Sequence, residues 1–574
     1  MIGRLRNLMR RKRASAAPAA FVFEGTRKAT DGRGRNRALM IMGAFFAIYV
    51  VIGGRLVYFG FKNPDNNGGP VAHATASRPD VVDRNGAVLA TDIKTFSLFA
   101  EPRRIIDADE TIEKLSTVLP DLEMEDTYTK LKSGRGFIWL RRQLSPRQQN
   151  DIMNLGLPGI GFRTENRRFY PPGPVASYII GLTNRDNRGI SGLEKYIDDQ
   201  GLADLQALGM ATAADLAPVK LSIDLRVQHI VRDEALQAMQ RFHAIAAGAV
   251  VINVKTGEIV AMASVPDFDP NNPVGAHDKD KLNRMSAGLY EMGSTIKSFT
   301  TAMALDSGKV GMNSTFDARR PITIGRRTIR DFHGKGRVLT VPEVFIYSSN
   351  IGSAREADVV GIEGHREFLQ RLGLLDRTPT ELPEVARPTQ PRVWKKVHSI
   401  TAAFGHGFTT TPLQTAVGVA ALMNGGRLMP PTFLPRTLDA AIDVSKQVVS
   451  EQTSANMRYL YNLNATAPGG SGKRATVPGY RVGGKTGTAE KVVNGRYAKD
   501  KRFNAFLAAF PMDDPQYVVL SIIDEPKPEK PGMAATSGLN AAPIVANIIR
   551  RSASMLGVKP EFRLEKPVEV VFSD

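Results

Sequence analysis

The chain has 574 residues, which indicates about two to four domains rather than one. With 42% hydrophobic and 23% charged residues, most of it can bury ordinary globular cores, which excludes wholesale disorder, and its single long apolar run excludes a polytopic transporter. Cysteine is absent, which excludes disulfide frameworks, cysteine-bound metal sites and thiol nucleophiles.

The positive charge is concentrated at the N-terminus. Residues 1–37 hold eleven basic and two acidic side chains, so they carry +9 of the formal net charge of +19. An apolar stretch follows at residues 38–61, interrupted only by Arg55 near its far end. As a helix, this stretch would be roughly 36 Å long, which is enough to cross a bilayer.

These two features predict a signal anchor. The cationic tail stays in the cytoplasm, residues 38–61 cross the inner membrane once, and the rest of the chain lies in the periplasm. A cleaved signal peptide is the alternative, because residues 71–77 contain small-x-small spacing, but the apolar run exceeds the usual length of about 7–15 residues. Anchoring accounts for the basic tail, so nucleic acid is not a predicted partner.

The rest of the chain alternates between strand and helix patterns. A Gly/Asn/Pro-rich linker comes first, and Asn85-Gly86 then predicts a hairpin turn. Residues 246–265 predict a β-hairpin, residues 290–425 predict a long region of helices and loops, and strands return at 479–488 and 503–524. Strands at both ends of a helical middle predict one α/β domain whose sheet is assembled from distant segments.

Most types of cofactor chemistry have no motif in this sequence. The eight histidines are scattered, and neither a His-Glu-x-x-His helix nor a phosphate-binding glycine loop occurs, so no metal and no cofactor are predicted. What remains is Ser294-x-x-Lys297, the only Ser-x-x-Lys in the chain.

The surrounding residues predict that this serine and lysine act together. Ile296 and Phe299 recur at helical spacing, which predicts an amphipathic helix that opens near Gly293 and places Ser294 and Lys297 one turn apart on one face. A serine in the first turn lies in the field of the helix N-terminus, which favours developing negative charge. A desolvated lysine loses its proton more easily and can activate the hydroxyl as a base.

Two further motifs follow in order, Ser348-Ser349-Asn350 and Lys485-Thr486-Gly487-Thr488. The series Ser-x-x-Lys, Ser-x-Asn, Lys-Thr-Gly is the signature of penicillin-recognising serine acyltransferases. Two similar triplets are interpreted as local structure. Lys255-Thr256-Gly257 precedes the nucleophile and lies in a predicted hairpin turn, and Ser454-Ala455-Asn456 lies in a helical segment.

Residues from about 78 to 550 resemble the class B penicillin-binding proteins, most closely the FtsI family of cell-division transpeptidases. The resemblance extends to RPDVVDRNGAVLA, RRFYPPGPVASYIIGLTN and GISGLEKYID in the N-terminal part and to LSIDLRVQ, PDFDPN and FGHGFTTTPLQTA in the catalytic part. Two residues differ from those usual in the family. Met292 occupies the position where a proline often precedes Gly-Ser, and Pro79 occupies the position where a glycine often follows the arginine. Neither change removes a reactive group.

The resemblance implies an α/β (α+β) transpeptidase domain of the serine β-lactamase-like fold, with an antiparallel sheet flanked by helices. A mixed α/β pedestal domain of the dimerisation type and one transmembrane helix would precede it. The expected order begins with a tail at residues 1–37 and an anchor at 38–61. The pedestal follows at 62–218, the transpeptidase domain at 219–555 and the C-terminal tail at 556–574.

The resemblance also implies roles for the motif residues. Ser294 would attack the D-Ala-D-Ala bond, Lys297 would take its proton, and Ser348 would pass a proton to the leaving amine. The remaining roles concern binding. Asn350 would hold the stem-peptide amide, and the terminal carboxylate would be bound by Lys485, Thr486 and Thr488. Gly487 would leave room for the substrate, and the oxyanion hole would be formed by the backbone N–H groups of Ser294 and Thr488.

The function expected on this basis is cross-linking of peptidoglycan stem peptides at the division septum through a Ser294 acyl-enzyme that β-lactams also form. The alternatives are an elongation-type class B transpeptidase, a D,D-carboxypeptidase, and a non-catalytic β-lactam-binding scaffold on the same fold. Expected partners are stem peptides ending in D-Ala-D-Ala, β-lactam antibiotics, a SEDS-family glycosyltransferase, other divisome membrane proteins and the inner membrane.

Overall fold

The computed structural model describes residues 39–55, 78–201, 216–276, 278–325, 327–493 and 495–562. Residues 39–55 form a helix, α1, within the predicted anchor, and the remainder of that anchor lies outside the described residues, as do the basic tail and the linker. Among the helices that are described, none combines the length and the apolar character needed to span a bilayer.

The N-terminal part is built on a small mixed sheet. Its longest strand, β2, pairs antiparallel with β1, β3 and β4, and β1 also pairs parallel with β5, which leads into the catalytic part. The strands are β1 Val81–Val82, β2 Val88–Ala100, β3 Ile138–Leu144, β4 Ile160–Phe169 and β5 Val219–Lys220. The helices are α2 Ala108–Val118, α3 Met124–Leu131, α4 Pro146–Asn154, α5 Ser177–Ile180 and α6 Gly192–Asp199, with 3₁₀ turns at Pro102–Arg104 and Gly173–Ala176.

The predicted Asn85-Gly86 turn is confirmed. It joins the antiparallel strands β1 and β2, and Gly86 adopts a φ of +90°, a conformation that glycine reaches without a steric penalty. The Asp83 carboxylate accepts hydrogen bonds from the N–H groups of Asn85 and Ala87, which closes the turn.

A buried ion cluster ties the start of this module to its last helix. Glu194, which is fully buried, accepts hydrogen bonds from the guanidinium groups of Arg78 and Arg168, and these arginines also form ion pairs with Asp198 and Asp92, respectively. Glu194 and Arg168 are therefore structural charges. Removing one member of such a cluster leaves an uncompensated buried charge, which typically costs about 3–5 kcal/mol.

The catalytic part is organised around a five-stranded antiparallel sheet in the order β14-β15-β16-β6-β7. Its strands are β6 Ala246–Asn253, β7 Ile259–Val265, β14 Gly483–Val493, β15 Arg496–Phe510 and β16 Tyr517–Asp524. The predicted hairpin at 246–265 is confirmed as β6–β7, and the sheet does combine strands from the two ends of the domain.

Helices cover both faces of this sheet. On one face α7 (Leu225–Arg241) and α16 (Ala541–Ser552) bury a cluster that includes Val231, Phe506 and Ile548. The larger cluster lies on the other face, among the remaining helices. These are α8 Lys297–Asp306, α9 Val341–Ile346, α10 Asn350–Val360, α11 Ile362–Arg371, α12 Lys396–Ala402, α13 Pro412–Met423, α14 Leu438–Val444 and α15 Glu451–Thr466.

Short strand pairs and 3₁₀ turns connect these helices. The pairs are β8 Thr315–Asp317 with β11 Val338–Thr340, β9 Ile322–Ile324 with β10 Arg327–Ile329, and β12 Arg427–Leu428 with β13 Lys446–Gln447. The 3₁₀ turns are Gly293–Ile296 and Lys473–Ala475.

The burial of helix α8 differs from what the sequence predicted. The sequence predicted an amphipathic helix, but residues 297–305 are all buried, including the polar ones. The helix packs against five other helices, α9, α10, α11, α13 and α15, so it has no solvent face, and its hydroxyl groups are paired inside the core. Ser298 contacts the Tyr461 hydroxyl at 2.7 Å, and Thr300 donates to the Ala403 carbonyl at 2.7 Å.

Candidate active site

The predicted nucleophile, Ser294, lies in a tight turn held against the edge strand of the sheet. The turn Gly293–Ile296 is 3₁₀ and precedes α8, so Ser294 lies just before the α-helix and not within its first turn. Gly293 has a φ of +54°, and a Cβ at this position would lie 2.7 Å from the Thr488 carbonyl oxygen of β14. Only glycine fits there, because a side chain would need both the left-handed conformation and space that the strand occupies.

The second motif forms the connection between α9 and α10. Thr340 and Glu343 make a capping box at the start of α9, and Ser349 is the N-cap of α10. Ser348 itself adopts a φ of +54°, which typically costs a non-glycine residue about 1–3 kcal/mol. This strained conformation turns both the carbonyl and the hydroxyl of Ser348 toward Lys297.

Lys297 is the centre of the site. Its Nζ lies 3.1 Å from Ser294 Oγ, 2.5 Å from the Ser348 carbonyl oxygen, 3.1 Å from Ser348 Oγ and 2.7 Å from Asn350 Oδ1. The nitrogen of the Asn350 amide group fixes its orientation, because Nδ2 donates a hydrogen bond to the Arg330 carbonyl oxygen at 3.0 Å. The side chain of Lys297 is only 1% exposed.

The electrostatics of the site favour a neutral Lys297. Burial lowers its pKa well below the usual value, and the nearby charge of Lys485 lowers it further. A neutral amine has two N–H donors and one lone pair. The carbonyl oxygens of Ser348 and Asn350 can only accept, so they take the two N–H groups, and the lone pair remains to accept a hydroxyl proton from Ser294.

Lys485, on β14, completes a continuous chain of polar groups. Its Nζ donates to Ser348 Oγ at 2.9 Å, so Ser348 bridges the two lysines. Lys485 is fully buried, and burial lowers its pKa to about 7. The structure thus brings together five residues predicted from three distant motifs: Ser294, Lys297, Ser348, Asn350 and Lys485.

The other predicted residues lie beside this chain on the same strand. Thr488 Oγ1 is 3.0 Å from the Ser537 hydroxyl, and Thr486 faces the Gly538 segment. Gly487 packs against the nucleophile turn, where an added Cβ would lie 2.6 Å from the Met292 carbonyl oxygen. Because β14 is an edge strand, its outer backbone groups can pair with an extended peptide.

Sequence reasoning missed three supporting residues. Asp331 accepts hydrogen bonds from Ser349 Oγ and the Ile351 N–H and so holds the second motif in place. Glu356 is fully buried behind α8, where Thr301 donates to it and burial raises its pKa to about 8. Ser537 is the partner of Thr488. None of the three belongs to a recognisable motif, and only the folded chain brings them to the site.

The two alternative triplets lie elsewhere. Lys255 is in the β6–β7 turn and forms an ion pair with Asp514 at 2.6 Å. Ser454 is buried in α15, where its hydroxyl donates to the Leu422 carbonyl. Within the described ranges, no group of three or more His, Asp or Glu residues is arranged to hold a metal ion.

Comparison with known proteins agrees with this geometry. Residues 247–550 match the model of the penicillin binding protein transpeptidase domain, and residues 73–200 match the penicillin-binding protein dimerisation domain. A probable peptidoglycan D,D-transpeptidase FtsI of Caulobacter vibrioides is 38% identical over 98% of this chain and 94% of its own length. The peptidoglycan D,D-transpeptidase FtsI of Escherichia coli is 29% identical over 86% of each chain.

A solved structure shows the same catalytic fold. The apo transpeptidase domain of penicillin-binding protein 3 from Burkholderia pseudomallei matches with a TM-score of 0.53 and 29% identity, over 59% of this chain and 97% of its own.

The close packing of β14 on the nucleophile turn predicts the effect of adding one methyl group. In Gly487→Ala, the new Cβ would contact the Met292 carbonyl oxygen and the Thr295 methyl group at 2.6 and 2.7 Å, so the strand and the turn must separate. A misplacement of about 1 Å can cost about a hundredfold in rate, so we expect acylation by a fluorescent penicillin to slow by about that factor. The measurement is the second-order labelling rate constant.

Gly311→Ala is the matched control, because a Cβ at Gly311 meets no atom within 4 Å. Its labelling rate should equal that of the wild type. A Gly487→Ala protein that labels at the wild-type rate would contradict the proposed steric constraint.

Proposed function

The chain belongs to the class B penicillin-binding proteins and is a peptidoglycan D,D-transpeptidase, and we propose that it cross-links stem peptides at the division septum through an acyl-enzyme on Ser294. The observation that carries this proposal is the chain of hydrogen bonds from Ser294 through Lys297 and Ser348 to Lys485. It connects a nucleophile, a neutral base and a proton relay in a region shielded from water.

In the first step, Ser294 Oγ attacks the carbonyl carbon between the two terminal D-alanines of a donor stem peptide. The neutral amine of Lys297 takes the hydroxyl proton as the new C–O bond forms. The oxyanion accepts hydrogen bonds from the backbone N–H groups of Ser294 and Thr488, each worth about 3 kcal/mol in comparable sites. The close approach of Gly293 to Thr488 supports this role, because it brings the two backbone segments together.

In the second step, the tetrahedral intermediate collapses and the bond to the terminal D-alanine breaks. The departing nitrogen needs a proton, and Ser348 supplies it from its hydroxyl while it is reprotonated by a lysine. Its bridging position between Lys297 and Lys485 supports this relay. The products are free D-alanine and an ester between Ser294 and the remaining stem peptide.

The polar groups around this relay are assigned to substrate binding. Asn350 Nδ2 uses one hydrogen for the Arg330 carbonyl, which leaves its second hydrogen to donate to a carbonyl of the stem peptide. Lys485, Thr486 and Thr488 bind the terminal carboxylate, and Gly487 leaves the edge of β14 open to the peptide backbone. The amine of a neighbouring stem peptide then attacks the ester and releases Ser294 as the cross-link forms. No cofactor takes part.

Replacement of the nucleophile tests this proposal directly. Labelling by a fluorescent penicillin should be lost in Ser294→Ala, because no other serine has a lysine three residues after it. Proteolysis of the labelled wild-type protein should place the adduct on the peptide that contains Ser294. Ser454→Ala is the control, since Ser454 is a buried helix residue, and an adduct on any residue other than Ser294 would refute the assignment.

The position in the cell follows from the N-terminal segment. We propose that residues 38–61 are retained as a signal anchor, with the tail 1–37 in the cytoplasm and the pedestal 62–218 and transpeptidase domain 219–555 in the periplasm. The charge of +9 before an apolar stretch supports this orientation. Family matches at 73–200 and 247–550 support the two domains.

The anchor can be tested by intact mass measurement of protein extracted from membranes of a native host. We expect the mass of the chain with its N-terminal region attached, because a hydrophobic stretch of this length is retained in the bilayer. A mature N-terminus near Ala76 would show that the stretch is a cleaved signal peptide instead.

The cellular role is proposed from the two FtsI relatives and from the two matched domains, a dimerisation domain and a transpeptidase domain. A transpeptidase of this kind joins glycan strands that another enzyme makes, and we assign that task to a membrane glycosyltransferase of the SEDS family within the divisome. The pedestal would carry the contacts with these membrane partners.

Depletion in a native host, or replacement of the wild type by Ser294→Ala, distinguishes division from elongation. We expect filaments without completed septa, because growth along the cell would continue while septal cross-linking stops. Rounded cells that swell but still divide would assign the chain to elongation instead.

A further inference from the structure

The hydroxyl group of Ser537 is buried beside the substrate-binding strand and has one partner. Ser537 lies in the segment between β16 and α16, and it is 2% exposed. Its Oγ is 3.0 Å from Thr488 Oγ1, which is the one hydrogen bond of this side chain within the described part of the molecule. Thr488 itself is only half-buried, so part of its side chain remains accessible to a ligand.

The contact between the two hydroxyl groups is fixed by the sheet. Asn504 is fully buried on β15 and lies directly opposite Thr488 in the β14–β15 pairing. Its Nδ2 donates to the Ala535 carbonyl at 2.9 Å and to Asn540 Oδ1 at 3.2 Å, so it holds the segment on both sides of Ser537. The strand pairing therefore sets the distance between Ser537 and Thr488.

Burial decides which of the two hydroxyl groups donates the hydrogen bond. Each hydroxyl has one hydrogen and two lone pairs. If Thr488 donated, the hydrogen of Ser537 would be left inside the protein without an acceptor, and an unpaired buried donor is costly. If Ser537 donates, its hydrogen is paired, and the hydrogen of Thr488 is directed away from Ser537 and toward the accessible side.

The same segment borders the groups that are proposed to bind the substrate carboxylate. A Cβ at Gly538 would lie 3.9 Å from Thr486 Cγ2 and 3.8 Å from the Ser471 carbonyl oxygen, which is ordinary van der Waals contact. The segment thus lies alongside Thr486 as well as Thr488. Ser537 forms no hydrogen bond with Ser294 or Lys297 in the described ranges, so it is separate from the groups that perform the acylation.

We propose that Ser537 is a positioning residue for recognition of the substrate carboxylate. By donating to Thr488 Oγ1, it leaves the Thr488 hydrogen to bind the terminal carboxylate, which can only accept. The opposite arrangement would direct lone pairs of Thr488 at the carboxylate and repel it. The inference rests on the proposed function, in which Thr488 binds this carboxylate, and it adds the residue that sets the direction of that hydrogen bond.

The test compares two β-lactams that differ only in one carboxylate, benzylpenicillin and its methyl ester. Purified full-length protein is acylated by each compound, and the second-order rate constant is obtained from the sites that remain for a fluorescent penicillin. In Ser537→Ala the Thr488 hydroxyl can adopt any of three staggered rotamers, so we expect acylation by benzylpenicillin to slow by about threefold. Acylation by the ester should be unchanged, because a neutral ester is a weak acceptor and gains little from an oriented hydrogen.

A double-mutant cycle shows whether Ser537 acts through Thr488. Thr488→Val removes the hydroxyl and keeps the backbone N–H, so acylation by benzylpenicillin should slow by about tenfold or more, as for a lost hydrogen bond to a charged group. Adding Ser537→Ala to this variant should cause no further slowing. Ser521→Ala is the matched control, because Ser521 is also a buried serine with one partner, the Ala541 carbonyl at 2.9 Å, and it should leave both rates unchanged.

Three results would overturn the inference. Equal slowing of benzylpenicillin and its ester in Ser537→Ala would indicate that the segment has moved and that the serine is only structural. Unchanged rates with both compounds would show that Ser537 does not set the hydrogen bond. A further threefold loss on the Thr488→Val background would show that it acts independently of Thr488. A wild-type protein that penicillin does not label on Ser294 would instead refute the proposed function.

Discussion

The buried amine of Lys297 is the constraint on which the rest of the site depends. Its Nζ has polar contacts with Ser294, Ser348 and Asn350, which come from two separate segments of the chain. Burial keeps the amine neutral, and its lone pair is directed at Ser294 when its two N–H groups are bound elsewhere. The carbonyl of Ser348 and the amide of Asn350 bind them, so the left-handed conformation of Ser348 is part of how the base is prepared.

The contacts of Lys297 require rigid surroundings, and helix α8 provides them. The helix is buried on all sides, and its polar residues are paired with groups from three other segments, among them Tyr461 and Glu356. A shift of α8 would leave these groups unpaired in the core, which costs about 1–3 kcal/mol for each of them. The nucleophile turn and β14 meet at glycine residues with no spare space, so the distance between Ser294 and Lys485 is also fixed.

The sequence was sufficient for the parts of the molecule that depend on local chemistry. The β6–β7 hairpin, the Asn85-Gly86 turn and the capping box at Thr340 are short-range patterns, and all three are present. The burial of α8 was not predictable from its own residues, because its threonines and serines find partners only in the folded chain. The same reason applies to the φ of Ser348, and to Asp331 and Glu356, which act through contacts with residues distant in sequence or on another helix.

The two lysines differ in electrostatic role although both are buried. Each ammonium would repel the other, so the site is most stable with one proton shared between them. Lys297 has the additional neighbouring charge that lowers its pKa, whereas burial alone lowers that of Lys485 to about 7. Of the two lysines, Lys485 therefore keeps a proton more readily, and it lies on the strand that we propose binds the substrate carboxylate. Ser348 joins the two amines, so a proton taken from Ser294 can reach the leaving amine without any change in the net charge of the site.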